Sequence, residues 1–232
     1  MTTVPDMQLG PIGALLPVSF TDTPPVAAQR AAARRLEAAG YGALWANEIP
    51  GKDALVQAAL LLDATEHVVL GTCVANVWVR AAPTAHAAAA LLAQTFPGRF
   101  VLGLGAGHPE QAAALGRDYG SPVRTVREYR TAMTATLAPD AAYPCLLAAN
   151  GPRMLALAAE IADGALPAMV EPAFTREARR VLGPDRLLVV LTRTDPDEVR
   201  AHHAAGADHV IVSVPPGGDL EAGVEALCAV RP

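Results

Sequence analysis

The length of this chain, 232 residues, suits one compact domain, and its net charge of -5 argues against a nucleic-acid partner. The 18 basic residues are outnumbered by 23 acidic ones and form no stripe that could neutralise a phosphate backbone. The 3 cysteines lack disulfide or zinc-site spacing, and we find neither a targeting segment nor an apolar run of the roughly 20 residues that a membrane helix needs, which predicts a cytoplasmic protein without a membrane partner.

Apolar strands and helical segments alternate from the start of the chain. Strands are predicted at 13–18, 43–46, 68–74 and 100–104, and helices follow the first three of them at 26–40, 53–65 and 84–95. Asp53 should cap the second helix, because its carboxylate can accept hydrogen bonds from the free N–H groups at the positive helix end. The first half of the chain therefore repeats a strand-helix unit.

The second half continues this alternation after a long predicted loop. Helices are predicted at 123–137, 152–162, 175–182, 197–205 and 220–230, and strands at 145–149, 164–166, 187–191 and 209–214. Eight apolar strands that alternate with eight helices predict a (β/α)8 TIM barrel, an α/β fold with a parallel sheet. The short connections predict a single domain over residues 1–232, with an open, doubly wound sheet as the alternative.

In a barrel of this kind, the residues directly after the strands form the functional face. This rule selects a set of strand-end residues as candidates for binding and chemistry. They are Ser19, Phe20, Asn47, Glu48, Asn76, Trp78, His108, Glu110, the turn 150–153, Met169, Arg193 and Ser213.

The fourth predicted strand runs into a glycine-rich segment, 103–107, that is followed by His108. Its spacing departs from a dinucleotide fingerprint, because the third glycine comes one position early and no helix is predicted directly behind it. Glycines at a strand end can let a flat ring approach the backbone, or can serve a loop that needs positive φ. Both interpretations stay open for Gly105 and Gly107.

The turn after the fifth predicted strand has the features of a phosphate site. Ala149, Asn150 and Gly151 precede a proline that suits the first helical position, so free N–H groups and a positive helix end could meet a phosphate there. Arg153 adds a cation. The alternative is an ordinary tight turn with a solvated arginine.

Two residues are candidates for proton transfer. His108 follows the fourth strand and could act there as an acid or a base, although a loop histidine can also serve only as a hydrogen-bonding residue. Glu48 follows the second strand close to Trp45, and its alternatives are a solvated acid or a partner for Lys52. No hydrolase elbow and no metal-ligand spacing is present, so we expect no metal.

The order of three segments resembles a known superfamily. They are 36–45 (LEAAGYGALW), 64–72 (ATEHVVLGT) and 97–105 (PGRFVLGLG), and further similarity extends to about residue 195. The chain resembles the bacterial luciferase-like monooxygenases, and most of all their coenzyme F420-dependent oxidoreductase branch. The resemblance implies a homodimeric barrel that binds a flavin or deazaflavin at the strand ends and passes hydride at its central ring.

The resemblance also implies where the cofactor lies. It maps a non-proline cis peptide onto Cys73-Val74, behind the ring, and the phosphate turn onto Ala149, Asn150 and Gly151. The residues expected to contact the cofactor are Asn47, Cys73, Val74, Ala75, Asn76, Gly105, Ala106, Gly107, Ala149, Asn150, Gly151 and Arg153.

Two departures from the superfamily pattern bear on the chemistry. Many deazaflavin dehydrogenases of this superfamily carry an Asp-His pair after the second strand, whereas this chain has Asn47-Glu48, so His108 or Glu48 is expected to supply the proton. The chain also lacks the long insertions of typical relatives, with only 192–196 between the seventh strand and its helix. We therefore expect an F420-dependent oxidoreductase, with an FMN-dependent monooxygenase or a non-catalytic cofactor-binding homologue as the alternatives.

Overall fold

The apolar runs of the sequence form short strands that are buried along nearly their whole length. The computed structural model describes residues 7–17, 23–49, 51–135 and 142–230, so the candidates Ser19 and Phe20 lie outside the described residues. The strands are β1 (Ile12–Leu15), β2 (Ala43–Ala46), β3 (Val69–Thr72), β4 (Ala75–Asn76), β5 (Phe100–Gly105), β6 (Cys145–Ala148), β7 (Gly164–Leu166), β8 (Leu187–Arg193) and β9 (His209–Ser213).

Helices follow the strands and cover the outside of the sheet. They are α1 (Val26–Ala38), α2 (Ala54–Leu62), α3 (Ala82–Thr95), α4 (Pro109–Ala114), α5 (Pro122–Thr134), α6 (Pro152–Ile161), α7 (Pro172–Leu182), α8 (Pro196–Ala204) and α9 (Leu220–Ala229). The predicted cap of α2 is confirmed, because the Asp53 carboxylate accepts hydrogen bonds from the N–H groups of Leu55 and Val56. Within the described residues, no helix is long and apolar enough to cross a membrane.

The sheet closes on itself. Its strand order is β3-β2-β1-β9-β8-β7-β6-β5-β4, every pairing is parallel, and β3 also pairs with β5 through Leu70 and Phe100. Since β4 pairs with β5 further along, through Ala75 and Leu104, β3 and β4 together act as one interrupted barrel strand. The predicted (β/α)8 barrel is confirmed, and the closing pair excludes the open sheet.

The interruption between β3 and β4 has a defined local structure. The Thr72 hydroxyl donates to the carbonyl oxygen of Gly103 at 2.7 Å and accepts from the N–H of Gly103 at 2.9 Å, which bridges the gap in the ladder. The Cys73-Val74 peptide bond is cis, as the resemblance implied. The continuous strand predicted at 68–74 is wrong in this respect, because Thr72 replaces a backbone pairing with side-chain hydrogen bonds.

A tryptophan and a histidine lie inside the barrel, next to a cluster of apolar side chains. Trp45 and His209 are fully buried, and the Trp45 indole N–H donates to His209 Nε2 at 3.1 Å. Two glycines make room for them, because a Cβ on Gly71 would lie 2.2 Å from the Trp45 ring and one on Gly13 would lie 2.5 Å from His209 Nε2. His209 is therefore structural, as its position at a strand start predicted.

The loop predicted after the fourth strand contains a helix that periodicity did not reveal. Helix α4 has 6 residues, with a proline in its first turn and Gly116 at positive φ shortly after its end. A segment this short does not complete the pattern from which an amphipathic helix is recognised. The helix lies between β5 and α5 and supplies one wall of a cavity described below.

Candidate functional site

A cavity of about 540 Å³ opens at the carboxyl ends of the strands. Its lining residues come from the ends of β1, β2, β3, β8 and β9 and from the loop after β7. They are Leu15, Asn47, Cys73, Met169, Leu191, Arg193, Thr194, Ser213, Val214, Pro215 and Pro216. This volume is within the range of small-molecule sites in proteins, and its position is the functional face of a barrel.

The polar groups on the β8 and β9 side of this cavity are anchored to one another. The Ser213 hydroxyl donates to the carbonyl oxygen of Thr192 at 2.9 Å, and the Thr192 hydroxyl donates to Glu198 at 2.6 Å. Arg193 lies 3.4 Å from the same carboxylate, with 72% of its side chain exposed. The guanidinium is thus free to turn toward an anionic ligand at the mouth.

A second cavity, of about 360 Å³, lies beside the first on the same face. It is formed by the loop after β2, the loop after β4, and helix α4. Its lining residues are Glu48, Ile49, Gly51, Lys52, Asp53, Asn76, Val79, Gln111, Ala114 and Leu115. Lys52, in the wall of the smaller cavity, donates a hydrogen bond from Nζ to the side-chain oxygen of Asn47, in the wall of the larger one, at 2.9 Å.

Glu48 is the centre of a buried network between these loops. Its carboxylate accepts from the N–H of Asn76 at 2.7 Å, from the N–H of Ala54 at 3.2 Å, and from both terminal nitrogens of Arg80. Arg80 also donates to Asp53 at 2.8 Å. Both carboxylate oxygens of Glu48 are therefore engaged, with its side chain 2% exposed, so the structure gives Glu48 an anchoring position.

The environment of Glu48 differs from its predicted alternatives. The solvated acid is wrong because the residue is buried, and the pairing with Lys52 is wrong because Lys52 bonds to Asn47 instead. Burial disfavours the charged form of Arg80, but its hydrogen bonds to Glu48 and Asp53 outweigh that cost and raise its pKa above the ordinary value. Proton transfer by Glu48 stays a prediction.

Two cavity-lining groups have shifted acidity because they are removed from water. Burial lowers the pKa of Lys52 to about 8 from an ordinary value of 10.5. Burial also raises the pKa of the Cys73 thiol to about 12, which leaves the sulfur protonated and unreactive at neutral pH. Of these two groups, only Lys52 can exchange a proton near physiological pH.

His108 lies apart from both cavities. It is exposed at the N-terminal end of α4, where its N–H donates to the side-chain oxygen of Gln111 at 2.9 Å. The histidine lines neither the larger nor the smaller cavity. The hydrogen bond to Gln111 is made by the backbone of His108, which agrees with the alternative of a hydrogen-bonding loop residue. The catalytic role of its side chain stays a prediction.

The other residues predicted to surround a cofactor ring are held by mutual contacts. The Asn76 side-chain oxygen accepts from the N–H of Trp78 at 2.9 Å, and the Trp78 indole donates to the carbonyl oxygen of Ala106 at 2.7 Å. A Cβ on Gly105 would lie 2.6 Å from the Val74 side chain, so the close approach here is by the protein itself. Gly107 has φ +58°, which supports the positive-φ interpretation.

The predicted phosphate turn is open to solvent. The Asn150 side chain is occupied, because it donates to the carbonyl oxygen of Ala168 at 3.0 Å and accepts from the N–H of Ala168 at 2.8 Å. Gly151, at the N-cap of α6, would add a Cβ into open space. Arg153 is exposed and pairs with no acid among the described residues. The helix N-terminus and this free cation fit an anionic group, with Asn150 holding the turn in place.

The sequence prediction and the structure overlap in part. Of the residues expected to contact a cofactor, Asn47 and Cys73 line the larger cavity, and Asn76 lines the smaller one. The Arg80 contact could not be predicted from the sequence, since the arginine lies 32 residues from Glu48 and meets it only when the barrel closes. Lys52 could have been found from its place in the loop after the second strand.

Known proteins are similar to this chain in sequence. The family model described as "Luciferase-like monooxygenase" matches residues 11–182. A Mycobacterium tuberculosis protein that carries the name coenzyme F420-dependent oxidoreductase is 32% identical over an aligned length of 172 residues. The match covers 59% of this chain and 49% of that protein. The chain spans about half the length of the curated relatives it matches.

Solved structures show the same fold at low identity. An F420-dependent secondary alcohol dehydrogenase in complex with an F420-acetone adduct superposes with a TM-score of 0.74 and 17% identity, covering 95% of this chain and 97% of that chain. The oxygenating constituent of 3,6-diketocamphane monooxygenase from Pseudomonas putida, in complex with FMN, has a TM-score of 0.63 and 14% identity, covering 87% and 66%. These likenesses show that the barrel fold is shared.

Proposed function

Because the chain belongs to the luciferase-like monooxygenase family, we propose that it is an F420-dependent oxidoreductase that transfers hydride between the reduced deazaflavin and a small organic substrate. The observation that carries the proposal is the cavity of about 540 Å³ at the strand ends, with Asn47 and Cys73 in its wall. The name of the M. tuberculosis relative supports the deazaflavin over other cofactors.

The residues of the chain fit a phosphorylated tricyclic cofactor. When bound, such a cofactor supplies hydride at its central ring. Asn47 and Cys73 would lie against that ring, while the N-terminus of α6 and Arg153 would hold the phosphate. Asn150 would orient the turn through its two hydrogen bonds to Ala168 rather than bind the phosphate itself.

A fluorescence titration with F420 and with FMN tests the cofactor assignment. We expect F420 to bind more tightly than FMN, and saturable binding of neither would refute the proposal. Arg153→Ala should weaken binding of either cofactor roughly ten- to hundredfold, since a charge-assisted hydrogen bond contributes about 1.5–3 kcal/mol. Riboflavin, which lacks the phosphate, is the matched ligand control and should bind both proteins equally. Arg200→Ala, at an exposed pair on α8, is the matched protein control.

Two alternatives give different outcomes in these assays. An FMN-dependent monooxygenase would bind FMN more tightly than F420, and the likeness to an FMN-containing monooxygenase keeps this function in view. A non-catalytic homologue would bind cofactor without oxidising the reduced form in the presence of any acceptor. Measuring consumption of reduced F420 across a panel of organic acceptors separates the enzyme from such a binding protein.

We also infer that two copies of the chain associate. Val56 on α2 and Leu91 on α3 expose 59% and 54% of their surface, and these two helices contact each other. A second copy that packs against both helices would remove this surface from water. Mass measurement in solution should give twice the mass of one chain, and Val56→Lys should shift it toward one chain, whereas a monomeric mass for the unmodified protein would refute the inference.

A further inference from the structure

The smaller cavity is a second site whose chemistry is distinct from that of the larger one. Most of its wall is apolar, supplied by Ile49, Val79, Ala114 and Leu115. The two carboxylates in the wall, Glu48 and Asp53, already accept hydrogen bonds from backbone N–H groups and from Arg80. A ligand in this cavity therefore finds no free acid.

Lys52 is the one charged group of this wall that forms no ion pair with a described residue. It is also the only lysine of the chain. Its ammonium makes one hydrogen bond, to Asn47, and can donate two more. Because Asn47 lines the larger cavity and Lys52 lines the smaller one, this hydrogen bond places the ammonium between the proposed ring site and the smaller cavity.

The charges around Lys52 favour an uncharged ligand. Glu48 and Asp53 lie on its own loop, and Arg80 faces them from the loop after β4. Two acids and two bases balance, so a charged ligand would be left without a counter-ion. From α4, the neutral side chain of Gln111 faces the smaller cavity. Lys52 also borders a separate, narrower space, which the neutral side chains of Gln29 on α1 and Gln57 on α2 line.

The other candidate proton donors near the two cavities are less suited than Lys52 to protonate a bound ligand. Both oxygens of Glu48 are engaged in the buried network, and His108 lines neither cavity. The Cys73 thiol, with a pKa of about 12, is too weak an acid to act near neutral pH. With a pKa of about 8, the Lys52 ammonium is protonated at neutral pH and still acidic enough to give up its proton.

We propose that Lys52 donates the proton to an uncharged α,β-unsaturated ketone that binds in the smaller cavity. This rests on the proposed function, because the acceptor takes hydride from reduced deazaflavin, which is oxidised by two electrons. Hydride forms a C–H bond at the β-carbon, the π electrons move to the carbonyl oxygen, and that oxygen takes a proton from Lys52 Nζ. The enol relaxes to the saturated ketone, and the neutral amine regains a proton from water.

The single lysine allows a direct test that does not depend on turnover. Protein labelled with ¹³Cε-lysine should give one lysine signal, which Lys52→Arg removes and so assigns. We expect this signal to titrate near pH 8 and to shift saturably when 2-cyclohexen-1-one is added without cofactor. Titration at the ordinary lysine value, or no shift with the enone, would overturn the proposal.

Kinetics of the loaded enzyme provide the second test. With reduced F420 and 2-cyclohexen-1-one, the rate should fall above about pH 8, because the donor is then deprotonated. Lys52→Arg keeps the positive charge, but its guanidinium does not release a proton. The rate of this variant should therefore not fall above about pH 8, and it should be roughly 10²–10⁴-fold lower than that of the unmodified protein. A Lys52→Arg rate equal to that of the unmodified protein would overturn the inference.

These outcomes separate the inference from the proposed function. If F420 does not bind, the proposed function fails, whereas the lysine signal still decides whether the enone site exists. If F420 binds and its reduced form is oxidised by other acceptors but not by the enone, the acceptor assignment fails alone. Lys52→Met, which removes the charge, should bind F420 as well as Lys52→Arg does if the residue acts on the acceptor rather than on the cofactor.

Discussion

Two sectors of the barrel rim differ in how their side chains are held. The clasped sector comprises the loops after β2 and β4 with helix α4, and a buried Arg80–Glu48 pair joins its loops. The open sector comprises the loops after β7, β8 and β9, where Arg193 is 72% exposed and Met169 is 52% exposed. Both sectors contribute to the same carboxyl face, yet only the first contains a charge network shielded from water.

This difference indicates that the charged side chains of the two sectors have different roles. In the clasped sector, the charges fix backbone positions, since Glu48 accepts from the N–H groups of Ala54 and Asn76 on two separate elements. In the open sector, the charged and large apolar side chains remain free to contact a ligand. Global stability should therefore depend more on the clasped sector than on the open one.

Removing the buried arginine should have the largest effect. Arg80→Met leaves Glu48 buried without its counter-ion, and breaking such a pair costs about 3–5 kcal/mol of the free energy of unfolding. Urea denaturation followed by circular dichroism measures this loss. The matched control is Arg193→Met, whose pair with Glu198 is exposed and should contribute at most about 1 kcal/mol. Equal losses for the two variants would contradict the contrast between the sectors.

A pH change should act on the filled barrel interior below both sectors. Burial lowers the pKa of His209 to about 4 in the folded protein, from 6.5. Between these values the unfolded chain binds more protons, so stability is lost as pH falls from about 6.5 to 4, by about 3 kcal/mol. His209→Gln should remove this loss, since an amide can donate to Gly10 and accept from Trp45 without titrating. The same acid dependence in both proteins would show that His209 is not its source.

Breaking the Asn150 contact should have the smallest effect. Asn150→Ala leaves the N–H and carbonyl groups of Ala168 without their partner, at an exposed position where the cost is about 1 kcal/mol. The same variant should weaken F420 binding in a fluorescence titration, because the turn loses its anchor to the loop after β7. Asn150→Asp keeps the bond from the Ala168 N–H and should retain more stability. Unchanged stability and affinity in Asn150→Ala would contradict the anchoring role.

Much of the fold was predictable because its determinants are local. Buried parallel strands are recognised as apolar runs in the sequence. Asp53 marks the start of α2, because its carboxylate accepts a hydrogen bond from the N–H of Leu55, only two residues further along the chain. The position of the larger cavity agrees with one rule, that the carboxyl ends of barrel strands carry function. This rule selected Asn47, Met169, Arg193 and Ser213, which all line that cavity.

The misses have a different physical origin. The Arg80–Glu48 pair, the Trp45–His209 contact and the side-chain bridge at Thr72 join residues between 31 and 164 positions apart, so each exists only in the closed barrel. Helix α4 was missed because 6 residues give too little periodicity. The partner of Glu48 was likewise not predictable, because Arg80 comes from another loop.

The Trp45 and His209 side chains, held against Gly13 and Gly71, have a consequence for traffic through the molecule. These buried side chains close the inside of the barrel. A substrate can therefore enter, and a product can leave, only at the rim. Substrate and product must then use the same opening. The order in which they bind and leave is set by how they pass one another at the rim.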